Sequence, residues 1–230
     1  MDQEAFKGEI KKKKVLLIDD HPVVRNGIKQ IIDLEENYFV SGEASNADEA
    51  IAEINKNQPD IAIIDITLGS NASGIDLVKK IKERFPKIIS LILSMHDEGI
   101  FAERAIRAGA KGYLMKEVAP VNIIAALDKI SSGNLYLSKE MFEKIVDKMV
   151  HGVEEKTNTS VDVLSDRELE VFQHIGNGYS SKEISKKLNL SIYTVESHKR
   201  NIREKLKLHD ASELLRYAIQ WVFASKKVFF

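Results

Sequence analysis

The sequence predicts a doubly wound parallel α/β domain followed by a small domain made only of helices. Short apolar runs alternate with helical patterns between residues 14 and 130, and residues 61–64 are apolar throughout. Runs of this kind are typical of strands that are buried on both faces, as in parallel sheets with helices on either side. From residue 164 onward the pattern is helical only. These observations predict two domains of different class.

The elements of the first domain follow from the apolar runs and from the residues that interrupt them. Pro22 opens the first helix, Pro86 ends the third and Gly109 ends the fourth. Five strands, each followed by a helix, predict a flavodoxin-like fold. The predicted strands are 14–18, 38–44, 61–64, 91–94 and 112–115, and the predicted helices are 21–33, 46–55, 75–85, 98–108 and 119–130.

Acidic side chains follow two of the predicted strands. Asp19 and Asp20 follow the first strand, and Asp65 follows the third. The carboxyl ends of parallel strands meet at one edge of the sheet, where ligands bind in such folds. Three close carboxylates repel one another unless a cation neutralises them, and an all-oxygen set suits Mg²⁺ or Mn²⁺ better than Zn²⁺. A single Asp after a strand is as often a helix N-cap as a ligand. The prediction of a metal site therefore rests on the three acids together.

Two further strands end in side chains that complement these acids. Ser94 ends the fourth strand and Lys116 ends the fifth. A lysine, a hydroxyl and a divalent cation around Asp65 would stabilise a phosphoryl group on its carboxylate. His21 either adds a metal ligand or is a loop residue beside the site, and we favour the loop residue.

This arrangement resembles the receiver domain of bacterial response regulators over residues 13–133. The resemblance implies that Asp65 accepts phosphate from a histidine kinase and that Thr67 lends its backbone carbonyl to the metal. It also implies a switch pair, Ser94 and Tyr113, that responds to the phosphate. The residues that carry the resemblance, in chain order, are Asp19, Asp20, Asp65, Ser94, Tyr113 and Lys116. Asp19, Asp20 and Asp65 would hold the Mg²⁺.

The loop after Asp65 departs from the family pattern. Gly69 stands where the family has a proline, and Gly74 lies nine residues after the acceptor rather than eight. The missing φ restraint and the extra residue predict a more mobile loop. The atypical loop leaves the lifetime of the phosphate open, while the expected acceptor stays the same.

Composition limits the classes of protein that remain. The chain has 230 residues, of which 43% are hydrophobic and 30% are charged, so it can form two ordinary domain cores. We expect a cytoplasmic protein without a membrane partner, because the sequence has no apolar run of roughly 18 residues and no signal peptide. The chain has no cysteine, which excludes disulfides and thiolate metal sites.

The second domain begins after a polar linker. We divide the chain into residues 13–133, a helix and linker at 134–159, and a second domain at 160–225. The net charge is −1 overall, but Lys and Arg outnumber Asp and Glu by 12 to 9 within residues 160–230. A basic segment behind an acidic domain points to nucleic acid.

The helices of the second domain have clear start signals. Capping boxes at residues 165–168 and 180–183 open two helices, and a short turn then leads to a basic helix at 192–207. A short helix, a short turn and a basic helix predict a helix-turn-helix. On this pattern alone, a small helical interaction domain is the alternative.

Four segments of this domain resemble the LuxR-type DNA-binding module: residues 164–171, 178–188, 194–198 and 202–206. The resemblance implies that helix 192–207 enters the major groove and that helix 211–223 forms dimers. Base edges would be contacted by Glu196, Ser197 and Arg200. Phosphates would be contacted by Lys182, Thr194, His198 and Lys199.

Together the two resemblances imply a NarL-like response regulator, a transcription factor that is phosphorylated on Asp65 and binds double-stranded DNA as a homodimer. They also imply that the unphosphorylated receiver covers part of the recognition surface. One alternative is a regulator that binds DNA without phosphorylation. The other is an aspartyl-phosphate phosphatase of the haloacid dehalogenase type, which would need Asp-x-Asp where Asp19 and Asp20 are adjacent. We therefore expect no enzyme.

Overall fold

The computed structural model describes residues 12–69, 72–151 and 160–227. Its strands are β1 (Lys13–Ile18), β2 (Tyr38–Ala44), β3 (Ile61–Asp65), β4 (Thr67–Leu68), β5 (Ala72–Ser73), β6 (Ile89–Ser94) and β7 (Gly112–Met115). Five of them form a parallel sheet in the spatial order β2-β1-β3-β6-β7. The predicted doubly wound parallel sheet is confirmed.

Helices cover both faces of this sheet, as the fully apolar strands predict. The helices of this domain are α1 (Pro22–Asp33), α2 (Ala47–Asn57), α3 (Gly74–Arg84), α4 (Glu98–Ala108) and α5 (Ala119–Ser131). Successive side chains of a strand point to opposite faces. Val15 and Leu17 accordingly pack in the core beneath α1 and α5, whereas Leu16 and Ile18 pack in the core beneath α2, α3 and α4.

The segment between the acceptor strand and α3 contains a hairpin that the sequence did not predict. β4 and β5 pair in antiparallel register, with Thr67 opposite Ser73. Ser73 then caps α3, because its hydroxyl accepts a hydrogen bond from the Ile75 amide at 3.2 Å. The described part of this segment is therefore held by the pairing of β4 with β5 and by the cap at the start of α3. Residues 70 and 71 lie outside the described residues.

The second domain is helical and forms the predicted helix-turn-helix. Its elements follow α6 (Lys139–His151) and are a 3₁₀ turn (Ser160–Val163), α7 (Asp166–Gly176), α8 (Ser181–Lys187), α9 (Ile192–Leu206) and α10 (Ala211–Lys227). Both predicted capping boxes are present, at the starts of α7 and α8. The predicted linker falls mostly on residues 152–159, which lie outside the described residues.

The core of this domain is built on Phe172 of α7. Its ring centroid lies 5.7 Å from that of Tyr217 and 5.6 Å from that of Trp221, both on α10. α7 and α10 approach closely at Gly176, where an added Cβ would lie 2.4 Å from the backbone oxygen of Ala218. The packing of α10 on α7 therefore depends on the absence of a side chain at residue 176.

The two domains contact each other through α4 and the start of α7. Arg104 on α4 donates hydrogen bonds to the carbonyl oxygens of Val161 at 3.1 Å and Leu164 at 2.9 Å. The same guanidinium lies 3.1 Å from Asp166 Oδ1. Arg104 thus joins the first residues of the second domain to α4.

Candidate functional site

The three predicted acids lie together at the carboxyl edge of the sheet. β1 pairs with β3 so that Ile18 lies opposite Ile64, which places the next residues, Asp19 and Asp65, side by side. Ligand atoms of Asp19, Asp20, His21 and Asp65 all lie within 4.8 Å of one another. Asp19 and Asp65 are both only 4% exposed. The structure therefore confirms that the sequence places an acidic cluster at this edge.

Lys116 joins two of these acids. Its Nζ lies 2.6 Å from Asp19 Oδ2 and 2.7 Å from Asp65 Oδ2. Burial raises the pKa of the Asp65 carboxyl to about 6, although the Lys116 charge opposes the rise. Burial also acts to lower the pKa of Lys116, but Asp65 and Asp19 raise it above its ordinary value. The ammonium therefore stays charged between the two carboxylates.

The donor set fits a hard divalent cation. One ammonium cannot balance three carboxylates, and carboxylate oxygens are the ligands that Mg²⁺ and Mn²⁺ prefer. His21 lies at the rim of the cluster, with its side chain 61% exposed and its Nδ1 2.6 Å from Asp20 Oδ1. The ring nitrogen also belongs to the group of candidate ligand atoms, so this geometry is compatible with either interpretation of His21.

The two predicted switch residues both contact a histidine that the sequence did not single out. The His96 amide donates to Ser94 Oγ at 3.0 Å, and the Tyr113 hydroxyl donates to the His96 carbonyl at 2.8 Å. The His96 ring contacts Thr67, with 3.1 Å between Nε2 and Oγ1. Tyr113 points inward and is 1% exposed. His96 therefore joins the two switch positions to the loop that follows Asp65.

α7 of the second domain lies against this same region. Arg167 donates to the carbonyl oxygen of Gly69 at 2.8 Å, and the His96 and His174 rings have their centroids 6.2 Å apart. Burial raises the pKa of Glu170 to about 8, with Arg167 opposing the rise and the charge of Asp65 adding to it. The second domain thus contacts two of the loops beside Asp65.

This contact uses a different part of the second domain from the one that the resemblance implied. The interdomain hydrogen bonds among the described residues come from the 3₁₀ turn, Leu164 and α7, rather than from the predicted recognition helix α9. Glu196 and Arg200 on α9 are exposed. The first domain therefore contacts α7 and the residues just before it, and these two predicted base-reading side chains are accessible.

The predicted DNA-contacting residues are gathered on α9 and the neighbouring start of α8. Lys182, Glu196 and Arg200 are exposed, and the remainder are half-buried. His198 is half-buried, and burial together with the nearby Arg167 charge lowers the pKa of its ring. The residues of this candidate nucleic-acid interface are Lys182, Thr194, Glu196, Ser197, His198, Lys199 and Arg200.

The fold and these two surfaces define a class: a phosphoacceptor domain joined to a DNA-binding helix-turn-helix, which is a two-component response regulator. The model of the response regulator receiver domain matches residues 15–128. The model described as bacterial regulatory proteins, luxR family, matches residues 162–218. The chain belongs to the response regulators with a LuxR-type DNA-binding domain, and it is a two-component transcription factor.

Curated relatives and solved structures agree with this assignment. The oxygen regulatory protein NreC of Staphylococcus carnosus is 35% identical over 210 residues, which cover 90% of this chain and 97% of the relative. The RcsB response regulator of Salmonella typhimurium aligns with a TM-score of 0.61 and 27% identity, covering 91% of this chain and 98% of RcsB. An RcsB–DNA complex aligns with a TM-score of 0.53 and 27% identity over 90% of this chain and 97% of the other.

Within the part of the chain that the structure describes, none of the helices has the length and apolar character needed to cross a bilayer.

Proposed function

We propose that a sensor histidine kinase phosphorylates the chain on Asp65 and that this phosphate promotes dimeric binding to double-stranded DNA. The observation that carries the first half is the position of Lys116, whose ammonium lies within 2.7 Å of both Asp19 and Asp65. Asp19, Asp20, Asp65 and the Thr67 carbonyl would hold Mg²⁺ or Mn²⁺. The cation would neutralise part of the charge on the transferring phosphoryl group.

The chain's own residues have distinct parts in this reaction. An Asp65 carboxylate oxygen attacks the phosphorus of a phosphohistidine, and the bond between phosphorus and the histidine nitrogen breaks. Lys116 then pairs with a phosphoryl oxygen, and Ser94 donates its hydroxyl proton to another. Ser94 and Tyr113 both bind His96, so a turn of the Ser94 hydroxyl toward phosphate changes the contacts of His96.

The proposed DNA-binding half uses α9 and α10. α9 would enter the major groove, with Glu196, Ser197 and Arg200 toward bases and Lys182, Thr194, His198 and Lys199 toward phosphates. Leu215, Ile219 and Phe223 of α10 are 44%, 39% and 67% exposed. Their spacing of four residues puts them on one face of the helix, which supports pairing of two copies through α10.

The proposal also fixes the organisation and location of the chain. The receiver would comprise residues 13–133, the helix and linker 134–159, and the DNA-binding domain 160–225. A DNA-binding regulator acts where the DNA is, so we place it in the cytoplasm. Its role is regulation of transcription, without a substrate that it turns over as an enzyme.

A labelling experiment tests the phosphoacceptor. We expect incubation with acetyl phosphate and Mg²⁺ to add a single phosphate by intact mass, and we expect a chelator to prevent it. Asp65→Asn should stay unlabelled. Asp60→Asn is the matched control, because Asp60 lies just before the same strand but is exposed, and it should label like the wild type. Equal labelling of the Asp65→Asn protein would show that another residue accepts the phosphate.

A further inference from the structure

A carboxylate lies in the middle of the basic surface of the recognition helix. Glu196 is 53% exposed on α9, and Lys199 and Arg200 follow it within about one turn. A negative charge that faces DNA weakens attraction to the phosphates of every duplex, whatever its sequence. Glu196 can therefore favour binding only where it accepts a hydrogen bond from a base.

The Glu196 carboxylate is held in place by two neighbours. Ser181, the first residue of α8, donates its hydroxyl proton to Glu196 Oε1. Lys199 Nζ lies 3.1 Å from the same oxygen and 3.0 Å from Ser181 Oγ, which closes a triangle. The Ser181 hydrogen bond and, after it, Lys199 lower the pKa of Glu196, so the group is charged at neutral pH.

This triangle differs from an ordinary surface ion pair along one helix. A pair at positions i and i+3 holds two mobile side chains, whereas here a short side chain from a second helix fixes the acceptor. Both contacts to the carboxylate are made with Oε1. Oε2 accepts no hydrogen bond from the described residues. A fixed carboxylate with one oxygen available on an exposed surface is suited to accept from one defined donor.

The major groove offers only two such donors. They are the amino groups at N4 of cytosine and N6 of adenine. Adenine N6 lies between two acceptors, its own N7 and O4 of the paired thymine. Cytosine N4 has one neighbouring acceptor, O6 of the paired guanine. A carboxylate accepts hydrogen bonds but does not donate them, so neighbouring acceptors on the base pair repel it. An adenine places two acceptors beside its N6 amino group, whereas a cytosine places one beside its N4 amino group.

We propose that Glu196 selects a cytosine in each half-site of the DNA and that Ser181 is the positioning residue for its carboxylate. This inference rests on the proposed function, in which α9 enters the major groove. A well-placed contact of this kind discriminates roughly tenfold to hundredfold against the wrong base.

The experiment uses the full chain with acetyl phosphate and Mg²⁺. Bound sequences are first selected from a pool of randomised duplexes, and the recovered site is then titrated with each base pair replaced in turn. We expect one C·G pair in each half-site whose change to T·A weakens binding by about tenfold or more, because thymine presents the O4 acceptor in place of the N4 donor.

Four variants separate the roles of the two residues. Glu196→Ala should bind the C·G and T·A duplexes equally, and Glu196→Gln should accept adenine as well, since an amide pairs with adenine N6 and N7. Ser181→Ala should reduce the preference, and Ser181→Thr, which keeps the hydroxyl, should restore it. The control is Glu204→Ala, which removes an exposed acid from the same helix and should keep the full preference for cytosine.

The outcomes distinguish this inference from the function on which it rests. If Glu196→Ala recovers the same site with the same base preference, or tightens binding to all duplexes equally, cytosine selection by Glu196 is wrong while DNA binding stands. A wild-type chain that recovers no common sequence would overturn both.

Discussion

Gly74 shows at the scale of one residue how the backbone of Asp65, the proposed acceptor, is packed. It is the first residue of α3, and its amide donates to the Ile66 carbonyl at 2.7 Å. A Cβ added at this position would lie 1.9 Å from the backbone oxygen of Asp65, which cannot move without distorting β3. The start of α3 therefore packs directly on the backbone that carries the acceptor.

Gly74→Ala should destabilise the receiver by roughly 3 kcal/mol, because overpacking against backbone leaves no side chain free to give way. Gly27→Ala is the matched control, since the helical Gly27 has nothing within 4 Å of an added Cβ. That substitution should stabilise α1 by about 0.5–1 kcal/mol. Denaturant unfolding of both variants measures the difference, and an unchanged midpoint for Gly74→Ala would contradict the close approach.

The same scale shows which site residues a sequence can predict. Asp19, Asp65 and Lys116 could be predicted because each ends a strand, and parallel strands end at the same edge. Arg167 could not, because its partner Gly69 lies 98 positions away in the other domain. Ser181 has the same difficulty, since its role appears only when α8 and α9 pack together.

At the scale of elements, α8 and α9 together present two kinds of basic side chain. Arg200 lies one turn after Glu196 on the exposed face, whereas Lys182 lies on α8 at the edge of the same surface. Base edges are reached from within the groove and phosphates from its rim. Substitution of Arg200 therefore tests contacts with base edges, and substitution of Lys182 tests contacts with phosphates.

We expect Arg200→Ala to weaken binding to the specific site by roughly 1–3 kcal/mol and to relax discrimination between bases. Lys182→Ala should weaken specific and random duplexes alike and reduce the salt slope by about one. Titrations of one specific and one random duplex over a range of salt concentrations measure both effects. Equal losses on both duplexes for both variants would refute the division.

α10 gives a second prediction at this scale. Leu215→Glu places a charge in the exposed apolar face formed with Ile219 and Phe223, so it should weaken binding to a duplex with two half-sites and spare binding to one half-site. Gln220→Glu adds the same charge at another exposed position of α10 and is the control. If both variants bind the two-site duplex equally well, pairing does not use this face.

Elements also differ in how well the sequence predicts them. The five long strands and the helices were predicted because runs of buried apolar residues and capping residues are local signals. The β4–β5 hairpin was missed, because each strand has two residues and no alternation can be read from so short a run. The hairpin matters for the site, since it carries Thr67.

At the scale of the whole molecule, the contact between domains joins the acceptor to the DNA-binding half. α7 lies against Gly69 and His96, in the loops that flank Asp65, while Glu196 and Arg200 of α9 are exposed. We call the arrangement with this contact closed and the arrangement without it open. The contact opposes any reaction that needs Asp65 to be accessible. By linkage, that reaction opposes the contact to the same extent. The contact should therefore restrain phosphorylation more than it restrains binding to a single half-site.

Arg104→Ala tests this coupling, because it removes three hydrogen bonds to the 3₁₀ turn, Leu164 and Asp166. A loss of about 1.4 kcal/mol from the closed state raises the open fraction tenfold. We expect labelling by acetyl phosphate to accelerate by about that factor, with little change in affinity for a duplex that carries one half-site. Arg107→Ala is the control on the same helix, since Arg107 is 79% exposed and pairs with Glu103 one turn away. If Arg104→Ala tightened half-site binding as much as it accelerated labelling, the receiver would have to mask the recognition surface after all.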